Sequence, residues 1–178
     1  LISYYRGASQ KAFPTANFKI VNCIMSDFQY KSYLTTLSNE KDYLKGSFRD
    51  VDILKLPHNF LLGPRMISNI AFPNKGIGLK GFNSLKGTCL STKKIKKYSI
   101  KFYKIFNKIK KSTGPVFIYS NFKEVGGLKS LISFLEYQGF KNYKHYGEGK
   151  YRFAKWTGDE LHMVKEDVKK TFNSNYFK

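Results

Sequence analysis

The sequence predicts an α/β fold: a parallel sheet with flanking helices, preceded by a loop-rich basic insert. Three observations carry that expectation. Short runs rich in β-branched and aromatic residues alternate with longer amphipathic runs, as in strand–helix–strand–helix units of a parallel sheet. Prolines at 57, 64 and 73 and glycines at 76, 78, 81 and 87 break that alternation in the middle of the chain. The 178 residues include 13 Tyr and 16 Phe, enough apolar bulk for a packed core.

In chain order, Phe18 to Met25 is apolar and β-branched and predicts a strand. "SDFQ" follows, where Ser26 and Gln29 have capping-box spacing, and a helix is expected from there to about Leu44 with Phe28, Tyr33 and Leu37 on its apolar side. Residues 45–91 form the loop-rich insert. "STKKIKKYSIKFYKIFNKIKK" then sets Ile95, Phe102, Ile105, Phe106 and Ile109 at helical spacing with lysines on the remaining surface, the pattern of a core-packing helix. "VFIYS" predicts a strand covered on both faces. The next helix carries Val125, Leu128, Ile132 and Leu135 as one stripe and ends at Gly139, where a left-handed residue is needed. "YRFAKW" predicts a further strand and "TGDELHMVKEDVKKTF" a further helix, with Asp159 and Glu160 in the first turn complementing its dipole.

Lys and Arg total 32 against 12 acids, a formal charge of +20, which points to a polyanionic partner, nucleic acid first. From Ile53 to Lys123 there is no Asp or Glu. Abundant Lys, Asn, Ile, Tyr and Phe also fit a biased proteome-wide composition, but so long an acid-free stretch favours a binding face. The two cysteines, Cys23 and Cys89, lack C-x-x-C spacing, so neither a disulfide framework nor a zinc site is indicated. No run reaches the length of a membrane span and no signal peptide is evident, so a soluble, intracellular protein is expected, with no membrane partner.

Two motifs invite a catalytic reading and fail on context. "GIGLKG", Gly76 to Gly81, matches G-x-G-x-x-G, but no clear strand delivers it, no helix start follows, and position 101 is Lys where an acid would hold the ribose. A flexible loop is expected there. "DELH", Asp159 to His162, resembles a Mg²⁺-coordinating box, yet the sequence has no G-x-x-x-x-G-K-[ST] loop to hold phosphates. His58, His145 and His162 form no ligand pattern, and no G-x-S-x-G elbow occurs. Catalytic and metal-binding residues are therefore expected to be absent from this chain.

An ordered set of segments resembles the superfamily 2 helicases and Swi/Snf-like ATPases of large DNA viruses, of the nucleoside triphosphatase and early-transcription-factor type. The set is "ISYYRGASQKAFP", "KIVNCIMSDFQYKSY", "RMISNIAFP", "KKYSIKFYKI", "STGPVFIYSNFKEVGGLKSLISFLEYQGF", "FAKWTGDE" and "FNSNYFK". The resemblance implies a partial RecA-like fold of the P-loop NTPase type. It implies an interdomain junction strand and helix at 1–44, the insert at 45–91, and the first part of the second RecA-like, helicase C-terminal domain at 92–178. "VFIYSNF" resembles helicase motif IV and "WTGDE" the strand-end segment after it, and strand-end loops of open parallel sheets face ligands.

Carried over residue by residue, the resemblance implies nucleic-acid contacts at Ser120, Asn121 and Lys123, and at Thr157 and Gly158. Gly126 and Gly127 would permit close approach of a phosphate, or merely turn the chain into a helix. Arg65 and Asn69 match a segment of interdomain or nucleic-acid contact, or serve as a polar anchor under a loop. The ATP-binding loop, D-E-x-H box and arginine finger of such a motor would lie before Leu1 and beyond Lys178. ATP and Mg²⁺ would thus belong to a parent protein and not to this segment, which alone is expected to be inactive as an ATPase. Implied partners are DNA or RNA, the first RecA-like domain of the parent and the viral transcription machinery, in the infected host cytoplasm or the virion. The alternatives are a self-standing basic nucleic-acid-binding α/β module without ATPase activity, and a packing protein whose lysines neutralise genome charge.

Overall fold

The computed structural model describes residues 17–44 and 61–174. Its first regular element is α1 (Asp27–Leu44). The Gln29 amide donates to Ser26 Oγ at 3.1 Å, so one half of the expected capping box forms. The other half does not, because the Gln29 side chain is buried and its amide donates to the Ile67 carbonyl at 2.8 Å. That carbonyl belongs to the last turn of α2 (Leu62–Asn69), where helical partners run out. Phe28, Tyr33 and Leu37 are half-buried, whereas the buried side chains among those described in α1 are Gln29 and Ser32.

The strand expected at Phe18 to Met25 is not formed. Residues 17–26 have no regular structure, and Phe18, Ile20 and Ile24 are exposed. A strand needs a neighbour for its backbone groups, and none lies alongside among the described residues.

Within the expected insert, residues 61–91 are more regular than a loop. They form α2, a single turn α3 (Gly78–Phe82) and a 3-10 helix (Gly87–Leu90). Between α2 and α3, Ile70, Ala71 and Phe72 are buried, and the Ala71 amide donates to the Tyr98 carbonyl at 2.9 Å. The loop expected at 76–81 therefore contains part of a helix. Gly81 is glycine because a Cβ there would sit 2.4 Å from the Phe72 ring and 2.5 Å from the Gly76 carbonyl oxygen. Packing, not a dinucleotide, explains that glycine.

The single helix expected over residues 91–111 is two, α4 (Thr92–Tyr98) and α5 (Ile100–Lys111), broken at an extended Ser99. Ser91 Oγ accepts from the Lys94 amide and Ser99 Oγ from the Phe102 amide, so each helix has its own N-cap. Ser99 Oγ also donates to the Asn69 carbonyl at 2.5 Å, which closes the end of α2. Ile95, Phe102 and Phe106 are buried as their spacing predicts.

"VFIYS" is also not a strand in the described structure: Val116, Phe117 and Tyr119 are exposed on a segment without regular structure. The chain then enters α6 (Leu128–Tyr137), whose buried stripe is Leu131, Phe134 and Leu135, with Val125 beside it. Leu128 and Ile132 are only half-buried, so the stripe is rotated from the expected one. Phe134 and Phe106 meet edge to face at 5.3 Å, joining α6 to α5 in the core. Gly139 has φ 92, and the Phe140 and Gly139 amides donate to Leu135 and Glu136, a Schellman end at the predicted glycine.

The sheet among the described residues is small: β1 (Lys141–Asn142) and β2 (Arg152–Phe153) pair in parallel, Lys141 opposite Arg152 and Asn142 opposite Phe153. Of "YRFAKW" only two residues are thus strand. The short helix α7 (Tyr143–Tyr146) lies in the crossover, and α8 (His162–Asn173) follows. The last helix starts at His162, after the two acids expected in its first turn. The architecture is mixed α and β with a parallel pair. No helix among the described residues is long and apolar enough to cross a membrane.

Candidate nucleic-acid interface

The loop from Ser120 to Gly127 is closed over the start of α6 by its own backbone. The Leu128 amide donates to the Phe122 carbonyl at 2.8 Å and the Lys129 amide to the Lys123 carbonyl at 3.1 Å, supplying partners to amides that a helix start leaves unpaired. Ser120 Oγ both accepts from the Phe122 amide and donates to its carbonyl, each at 3.1 Å, which fixes the turn. Asn121 Oδ1 accepts from the Tyr119 hydroxyl at 2.6 Å, and Asn121 and Lys123 stand exposed at the rim.

Gly126 and Gly127 are buried. A Cβ at Gly127 would fall 1.9 Å from the Phe122 carbonyl oxygen, and one at Gly126 would fall 2.6 Å from Cε of Met66. Their lack of a side chain is used inside the protein, to let the loop turn under itself and to seat it on α2. From α2, Asn69 Nδ2 donates to the Gly126 carbonyl at 3.1 Å while Asn69 Oδ1 accepts from Lys101 Nζ at 2.7 Å. Asn69 thus anchors the loop to α2 and α5. The Arg65 guanidinium lies 5.3 Å from the Phe122 ring centroid, a cation–π contact on the outer side of the same loop.

A second loop, residues 154–161, adjoins the first through an ion pair between Lys123 and Asp159. Hydrogen bonding to Lys123 holds the Asp159 carboxyl below the usual carboxylate range, and the same bond raises the Lys123 ammonium. Both side chains are largely exposed, so water and salt screen the pair and an arriving anion can compete for the lysine. The neighbouring Glu160 is buried and receives Lys155 at 3.3 Å and Lys144 at 3.4 Å; the hydrogen bond from Lys155 foremost keeps its carboxyl below the usual range. Thr157 closes this turn by accepting the Glu160 amide at 3.3 Å, and Gly158 is exposed beside it.

The structure therefore collects Arg65, Asn69, Ser120, Asn121, Lys123, Gly126 and Gly127, scattered over 63 positions of sequence, around one loop. Asp159 ties that loop to the turn bearing Thr157 and Gly158. Sequence reasoning missed Phe122 as the seat of Arg65, Lys101 as a second partner of Asn69, and the two acids as lysine acceptors. The available signal for the acids was their adjacency in a strongly basic chain.

The arrangement suits contact with phosphate oxygens: exposed ammonium, amide and backbone groups on two adjoining turns. Asp159 and Glu160 of "DELH" are each engaged by lysine, and among the described residues no cluster of His, Cys, Asp or Glu able to hold a metal occurs.

The chain is similar to a protein of Acanthamoeba polyphaga mimivirus named, as a provisional assignment, an ATP-dependent RNA helicase, with 46% identity over 173 residues. The match takes in 97% of this chain and 30% of the relative's length, so the chain corresponds to a segment of a longer viral protein. No family model matches the chain, and no solved structure matches it.

Proposed function

We propose that this chain is a portion of an ATP-dependent RNA or DNA helicase or translocase of viral superfamily 2, and that it contributes the nucleic-acid-binding part of the second motor lobe. The observation that carries the proposal is the 46% identity along 97% of the chain to part of a protein named an ATP-dependent RNA helicase. The convergence of the two loops supports it, since the residues that resemble motif IV and its neighbour lie on adjoining turns.

In this reading Asn121, Lys123 and Gly158 meet the phosphate backbone directly, with Ser120 and Thr157 shaping the turns that present them. Arg65 and Asn69 hold the loop from α2, and Gly126 and Gly127 let it fold. Lys123 exchanges Asp159 for a phosphate when a strand arrives, a trade between two exposed partners and therefore readily reversed. Reversibility is what a stepping motor needs, because each cycle must release the strand. ATP and Mg²⁺ would be bound by other parts of the parent protein, the first RecA-like domain among them, and the energy of hydrolysis reaches these loops through the junction with it. The setting is an infected host cell or the virion.

The test is a pair of measurements on the 178-residue chain: ATP hydrolysis with and without single-stranded RNA or DNA, and binding of the same strands. Binding that weakens with salt, without hydrolysis, is expected. Stimulated hydrolysis would reveal a nucleotide site within these residues and contradict the proposal; binding by a parent with no ATP chemistry would favour the self-standing module.

A further inference from the structure

Away from the two loops, α1 and α4 enclose an open bay of about 640 Å³. Lys31 of α1 and Lys93, Lys96 and Lys97 of α4 line it, with Asp27 the one acid and Phe28 on its apolar floor. The two helices are locked together at this spot, since Ser26 Oγ donates to the Lys97 carbonyl at 2.5 Å. The bay is therefore a fixed feature of the packing.

Lys93, Lys96 and Lys97 stand three and four residues apart, which places their charges on one helix face, where like charges repel. Among the described residues none of these three lysines, nor Lys31, is ion-paired with a carboxylate. Two of the ammonium groups rest on rings instead: Lys96 Nζ lies 4.3 Å from the Tyr103 centroid and Lys97 Nζ 5.0 Å from that of Phe28. Rings hold the cations in place without neutralising them. Phe28 is also met edge-on by Tyr98 at 5.4 Å, so it is already engaged and not offered as a platform for a base.

We infer that this bay is a second contact for the phosphodiester backbone of a single strand, separate from the strand-end loops and blind to base sequence. The repulsion within the cluster is relieved by an anion: the stretch from Ile53 to Lys123 that holds the three α4 lysines has no acid, and Asp27, the one carboxylate at the bay, forms no ion pair with them among the described residues. The inference rests on the nucleic-acid reading above and extends the track to residues to which the resemblance assigns no nucleic-acid contact.

The experiment is a binding titration of the full chain on short single-stranded RNA and DNA oligonucleotides over a range of salt. Each phosphate contact contributes about 0.7 to the log–log salt slope for a single strand. K93Q/K96Q/K97Q is expected to lower the slope by about 2 and to weaken RNA and DNA alike. K93R/K96R/K97R is expected to keep it, and K165Q/K169Q/K170Q, which removes the same charge from α8, is expected to change it little. Thermal unfolding of each variant separates lost contacts from lost fold.

An unchanged slope in the α4 glutamine variant overturns the bay, as do equal losses from the α4 and α8 variants, which would mean diffuse attraction. Equal, α4-dependent binding of poly-glutamate would reassign the bay to acidic protein segments. Lys123→Gln tests the strand-end loops separately: a slope unchanged there but lowered by the α4 variant sinks the loop contacts and keeps the bay. No binding by the unaltered chain overturns both.

Discussion

Gly127 and Gly126 show how differently two adjacent glycines are required. Alanine at 127 drives its Cβ into a backbone carbonyl that itself caps α6, and backbone cannot yield without reopening the loop. Alanine at 126 meets side chain rather than backbone, Met66 Cε at 2.6 Å, Cγ at 2.8 Å and Cβ at 3.0 Å, of which the outer atoms can swing to another rotamer. Gly127→Ala is therefore expected to cost about 1–3 kcal/mol in thermal or denaturant unfolding, and Gly126→Ala distinctly less. The sequence reading left both glycines between a phosphate approach and a turn, because "VGG" before a helix is written the same way in either case. Only the position of Phe122 and Met66, set by tertiary packing, separates them. Asn69 was open for the same reason: an amide that anchors a loop and one that touches a strand look alike until its partners, Gly126 and Lys101, are known.

The elements divide by whether their signal is local. Helix α6 was legible because its end depends on one residue, Gly139, whose positive φ few others adopt without strain. The break between α4 and α5 was not legible, because Ile95 and Phe102 are seven residues apart and the apolar period runs on in phase across Ser99. Ser99 itself is the device: fully buried, it caps α5 with its oxygen and returns its proton to the Asn69 carbonyl. Ser99→Ala removes both bonds at once and leaves a carbonyl without its donor, so a loss of about 1–3 kcal/mol is expected in equilibrium unfolding. A half-buried capping serine such as Ser91, whose bond to the Lys94 amide is open to solvent, should cost less on the same change, because water can replace it. The measurement is the difference between the two alanine variants under one denaturant series.

At the scale of the whole molecule, two stretches with strand composition, Phe18 to Met25 and "VFIYS", carry exposed apolar side chains and no ladder in the described residues. Strand propensity is a statement about fitting a half-buried pleated surface, so it is realised only where neighbouring strands exist. This is why the sequence predicts a parallel sheet while the described structure contains only one short parallel pair. The residues of the candidate site sit at loop ends whose local sequences resemble known motifs, whereas the lysine bay exists only where α1 and α4 meet across the fold, which sequence spacing does not show.

We propose that a nucleic-acid strand binds this chain at the two loops and at the lysine bay. Photo-crosslinking thiouridine-substituted single-stranded RNA to the chain and mapping the adducts by mass spectrometry tests it most directly. Adducts on residues 119–123 and 156–158, with a second group on α4, are the expected result. Adducts confined to α8, or spread evenly over the lysines of every face, would contradict it.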